Sequence, residues 1–123
     1  VTRLKANNMM TAEKFMELVL SFPATTQKPH FERTGLSVIG KKMFANYLAR
    51  NNTANIFLTP EEQAVFCKMD TDNIYPVPNK WGEKGATTFE LDTVPVELIW
   101  EALLSAYNDV LNQRSKLVKA LKY

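Results

Sequence analysis

Leu36-Ser37-Val38-Ile39, then Gly40-Lys41-Lys42, then Met43-Phe44-Ala45-Asn46-Tyr47-Leu48 is the stretch on which the fold turns. Two strand-like runs flank a tight turn, and glycine supplies the positive φ that such a turn needs. Two adjacent lysines sit at its tip, where a projecting ribbon would present them to phosphate. The same lysines are an ordinary way to keep a hairpin soluble and discourage edge pairing.

Outward from this hairpin the strand signals continue. Lys28–Thr34 reads as extended, with Gly35 turning it into the Leu36–Ile39 strand. Met43–Arg50 reads as the next strand, and Asn51-Asn52 turns it into Thr53–Leu58, where Ala54, Ile56 and Leu58 share a face. Short, regular spacing of this kind predicts an antiparallel meander. Ile74-Tyr75-Pro76-Val77-Pro78 is extended too, and its prolines confine it to a sheet edge or a loop. Asn79–Gly85 reads as a loop leading into Thr87–Leu91, with Phe89 and Leu91 facing inward.

Three helices frame these strands. Thr11 caps a helix from Ala12 in which Phe15, Leu18, Val19 and Phe22 keep helical spacing, and Pro23 ends it. Thr59-Pro60-Glu61-Glu62 has a capping threonine, a first-turn proline and a glutamate placed to reach back to the Thr59 amide, with the helix running to about Lys68. The last helix starts near Pro95, marked by Ile99, Trp100, Leu103, Tyr107, Val110 and Leu111; Leu117, Val118 and Leu121 continue the pattern beyond a weaker stretch at Asn112–Ser115. The expected architecture is a two-layer α+β fold of order α-β-β-β-β-α-β-β-α, an antiparallel β-sheet with helices on one face. The other face is left free for a partner. A single domain over residues 11–123 follows a loose leader over 1–10, in which Met9 or Met10 would be a natural start.

Composition agrees with one compact domain: 123 residues, 46% apolar, 23% charged and a net charge of +2. That charge is too small to imply nucleic acid by itself, and its distribution says more. Lys28, Arg33, Lys41, Lys42 and Arg50 face only Glu32 between residues 28 and 50, whereas Glu61, Glu62, Asp70 and Asp72 outweigh Lys68 in the next stretch. Arg114, Lys116, Lys119 and Lys122 make the tail basic. Such a layout orients charged partners, and solvated faces produce it equally. A lone Cys67, no apolar run of bilayer length and no h-region in the first residues make the cytoplasm the expected location.

Catalytic and metal chemistry find little support. Cys67 lies among Ala64, Val65 and Phe66 with no base beside it, and nothing in the spacing brings it to His30. Asp70 and Asp72 open like a calcium loop but lack its glycine and closing glutamate. Four glycines leave no phosphate-cradling motif. The expectation is therefore a non-enzyme with no cofactor and no metal.

The element order, the Gly40-Lys41-Lys42-Met43-Phe44 turn, the Thr59-Pro60-Glu61-Glu62 helix start, the Trp81 loop and Ser105-Ala106-Tyr107 together resemble the MmcQ/YjbR-like proteins, over roughly Met10 to Leu121. The resemblance implies an α/β fold similar to the secretion-chaperone-like arrangement. It also implies a small, mostly bacterial protein of the kind described as DNA-binding through two β-hairpin wings. Those wings would be the Lys41-Lys42 turn and the Asn79–Gly85 loop. The chain departs from the family pattern where Ala106 separates Ser105 from Tyr107, and where Glu83 offsets one of the second wing's two lysines.

Two functional expectations follow. In the first, Lys41 and Lys42, helped by Arg33 and Arg50, contact DNA phosphates weakly, and Lys80, Trp81 and Lys84 add a second contact. A tryptophan placed like Trp81 more often folds onto its own sheet, so burial is expected for it; if exposed, it would stack on a base or wedge into a groove. In the second, the chain is a protein-binding or self-associating adaptor that offers Met43, Ala45, Tyr47 and Ala49 along one side of a strand. No membrane partner is expected.

Overall fold

The computed structural model describes the backbone of residues 10–122 and the side chains of residues 10–112. The chain runs α1 (Ala12–Leu20), β1 (Thr25–His30), β2 (Arg33–Val38), β3 (Met43–Leu48), β4 (Thr53–Phe57) and α2 (Pro60–Met69). It continues through β5 (Ile74–Pro76), the single helical turn α3 (Lys80–Glu83), β6 (Ala86–Glu90) and α4 (Val96–Lys122). The six strands form one antiparallel sheet in the order β1-β2-β3-β4-β6-β5. Both edges carry proline, Pro29 in β1 and Pro76 in β5, where a missing N–H does least harm to the ladder. No helix among the described residues is long and apolar enough to cross a membrane.

The helices share one face of the sheet. Phe15 of α1 stacks on Tyr47 of β3, with ring centroids 5.5 Å apart. Phe66 of α2 meets Phe89 of β6 edge-on at 6.0 Å, and Tyr107 of α4 meets Phe44 of β3 at 5.8 Å. Phe15, Phe44 and Phe89 are fully buried, each removing enough apolar surface to stabilise the fold by roughly 2–3 kcal/mol. Local signals set the helix ends. Thr11 Oγ1 accepts from Lys14 N, and Thr59 and Glu62 exchange the two bonds of a capping box at 2.8 and 3.1 Å.

A β-bulge decides what each face of β3 shows. Leu36 pairs with Ala45 but Ser37 pairs with Met43, so Phe44 is an extra residue. Phe44 and Ala45 consequently both turn toward the helices, and Met43 lies over Gly35 on the opposite face. The bulge parts Met43 from Ala45 and Tyr47, which the helices bury in the core, and Ala49 lies in the turn after β3, so these four do not form the adaptor surface expected from the sequence. The helix-free face instead carries a row in register across all six strands, Lys28, Gly35, Asn46, Asn55, Thr88 and Tyr75.

Other expectations need correction. Gly35 is not a turn residue but sits inside β2; the turn is Phe31-Glu32, with Phe31 at φ 59°. Met10, assigned to the leader, is 3% exposed and its carbonyl accepts from Asn52 Nδ2. Residues 1–9 lie outside the described part, as do the side chains of Arg114, Lys116, Lys119 and Lys122. The last helix passes through Asn112–Ser115 without a break.

Candidate nucleic-acid interface

Antiparallel pairing gives the sheet two ends, and these sort the charged residues. At one end β2 turns into β3 through Ile39-Gly40-Lys41-Lys42, and β5 returns to β6 through α3. In the first turn Lys41 N donates to Val38 O at 2.9 Å and Gly40 has φ 77°, the geometry that glycine makes available. Ile39 is thereby pushed outward to 65% exposure, which its strand-like sequence concealed. Lys42 is exposed and Lys41 half-buried, and neither forms an ion pair among the described residues.

The second turn is built more firmly. Asn79 Oδ1 accepts from Trp81 N at 2.8 Å and starts α3. Gln63 of α2 donates from Nε2 to the carbonyls of Gly82 and Ala86 at 2.9 and 3.0 Å, tying the wing to the helix layer. Gly82 is buried with its Cα against the Val77 carbonyl, where any side chain would overlap backbone. Successive helical residues point about 100° apart, so seating Gly82 inward turns its neighbour out. Trp81 is 64% exposed, against the burial expected from the sequence, and Lys84 Nζ stands 5.5 Å from its ring centroid.

The two turns lie three strand spacings apart, about 14 Å. This end of the sheet therefore joins Lys41, Lys42, Lys80 and Lys84 with Trp81 and Ile39, and the helices that begin there carry the exposed acids Glu61 and Glu83 in their first turns. Arg33 and Arg50 do not belong to it. They sit at the opposite end, roughly 17 Å away along the strands. Arg33 Nη1 donates to Asn46 Oδ1 at 3.2 Å, and Arg50 pairs with Glu32 at 3.4 Å. An ion pair so exposed contributes little to stability, yet it offsets the charge that Arg50 would offer a polyanion.

The remaining reactive side chains stay apart. Cys67 is on α2, which packs by β5, and His30 ends β1 at the other edge of the sheet. Burial pushes the Cys67 thiol up, away from the reactive thiolate. Among the described residues no three His, Cys, Asp or Glu side chains are grouped to hold a metal ion. Tyr107, from the Ser105-Ala106-Tyr107 segment, is committed to structure: its hydroxyl donates to Pro23 O at 2.7 Å.

Comparison with known proteins places this arrangement. The crystal structure of Deinococcus radiodurans protein DR2400, of domain family DUF419, superposes with a TM-score of 0.69 at 22% identity, covering 81% of this chain and 78% of that one. A likeness at that identity concerns the fold. A search of curated proteins gives no match. A family model described as YjbR matches residues 20–109, from the end of α1 well into α4. With most of its length matched by that model, the chain belongs to the YjbR family.

Proposed function

We propose that the protein binds DNA through the wing end of its sheet, by phosphate contacts from Lys41, Lys42, Lys80 and Lys84. One observation supports this above the others: two segments some forty residues apart in sequence, each with two lysines, meet at one end of the sheet beside an exposed tryptophan. Their separation of about 14 Å is close to the ~12 Å width of a major groove, so both wings can reach one duplex. Binding of this kind is electrostatic and independent of base sequence, because each lysine on a phosphate releases counterions. The reading treats the chain as a binding protein rather than an enzyme.

Titration of duplex DNA against salt tests it. Four phosphate contacts give a slope of about −3 to −4 in log affinity against log salt. Lys41→Glu/Lys42→Glu should remove most of the affinity, and a flat salt response would overturn the reading.

The adaptor alternative now has to use the helix-free face, where Met43, Phe57 and Tyr75 are half-buried. Light scattering distinguishes it, since a stable dimer abolished by Tyr75→Glu would favour protein pairing over DNA contact.

A further inference from the structure

Trp81 is held in place as well as exposed. The Asn79 cap, the inward seat of Gly82 and the Gln63 bonds fix the helical turn that carries it. Its two ring faces are not equivalent, because Lys84 Nζ lies over the ring at 5.5 Å from the centroid. A side chain wedged into a duplex step has a base on each side of it and needs both faces. Stacking on an unpaired base needs one, and one is what Lys84 leaves.

We infer that Trp81 and Lys84 form a one-sided stacking platform for an unpaired base, so that the preferred ligand is single-stranded nucleic acid. This rests on the nucleic-acid reading above and narrows it. The base stacks on the open indole face, and Lys84 on the other face adds positive charge beside the strand. Lys41 and Lys42 then hold phosphates about 14 Å away, a distance spanned by a few nucleotides of extended backbone. Base–aromatic stacking tolerates any base, so no sequence preference is expected from this contact.

The chain has two tryptophans, and Trp100 packs on Phe22 with centroids 5.0 Å apart, so Trp100→Phe leaves Trp81 as the sole reporter. In that background, fluorescence titrations compare oligo(dT), oligo(U), an abasic oligodeoxynucleotide of equal length and a duplex. Oligo(dT) or oligo(U) should quench Trp81 and bind about tenfold or more tighter than the abasic strand. Oligo(dU) against oligo(U), which differ only in the 2′-hydroxyl, identifies the sugar. Trp81→Ala should erase that advantage and Trp81→Phe retain part of it, while Lys41→Glu/Lys42→Glu weakens every strand alike. If the abasic strand or the duplex binds as tightly as oligo(dT) and oligo(U), and binding still needs the lysines, the platform is wrong and the phosphate reading stands. If nothing binds in a salt-dependent way, both are wrong.

Discussion

Phe31 and Tyr75 show how individual side chains carry costs and couplings that composition hides. Phe31 takes φ 59° in a two-residue turn and is 95% exposed, with its ring against that of His30. A left-handed backbone disfavours any side chain, and this one gains almost no burial in return. Phe31→Gly should therefore raise stability in denaturant by about 0.5–1 kcal/mol; a loss would mean that the contact with His30 outweighs the backbone strain. Tyr75 on β5 donates its hydroxyl to Glu90 on β6. That bond, then burial and the nearby negative charge, push its pKa from the ordinary 10.0 up to about 12. Below about pH 10 the phenol keeps its proton in both folded and unfolded chains, and its contribution to stability is complete. Between 10 and about 12 only the unfolded chain releases the proton, so stability falls as pH rises through that window. Burial and then the Asp92 charge raise Tyr47 as well, so the ultraviolet titration of phenolate is read as a difference: in Glu90→Gln one late tyrosine should move back toward 10, and an unchanged titration would remove the coupling.

At the scale of elements, α3 is where the wing depends on packing rather than propensity. A helical turn of four residues containing glycine is not stable alone, and it persists because Gly82 docks on Val77 while Gln63 holds its carbonyl. Gly82→Ala forces the turn away from Val77. It should cost about 1–3 kcal/mol in thermal or denaturant unfolding and weaken DNA binding together, whereas wild-type values for both would mean the wing shifts freely. The other elements were legible from local chemistry. The Thr59–Glu62 capping box, the Thr11 cap and the inward set Ala54, Ile56 and Leu58 appear where the spacing put them. The β1–β2 turn was not legible, because Phe31-Glu32 lacks a turn residue while the nearby Gly35 mimics one. The bulge at Phe44 was hidden as well: it depends on which residues of β2 and β3 pair, and a strand read by itself has strict alternation.

For the molecule as a whole, the antiparallel order separates cations that the sequence groups together. Arg50 is eight residues from Lys42, yet it lies at the far end of β3 beside Glu32. Arg50→Glu should leave DNA affinity within about twofold, while Lys41→Glu/Lys42→Glu loses most of it, since exposed charges beyond about 10 Å are screened at ordinary salt. Equal losses from the two variants would show that the contact surface runs the length of the strands. The same topology brings in Lys80, Trp81 and Lys84, which lie some forty residues from Lys41.

The amino-acid sequence alone settled the class of fold and nearly every element, and it narrowed Ile74–Pro78 to a sheet edge or a loop, because periodicity, caps and prolines act within a few residues of themselves. It also supplied the lysines and the tryptophan of the wings. Only the tertiary structure decided that β6 inserts between β4 and β5, that Arg33 and Arg50 part from Lys41 and Lys42, and that Trp81 faces outward. Those outcomes depend on pairing and close packing between distant segments, here the seat of Gly82 on Val77 and the register across six strands, which no local pattern encodes.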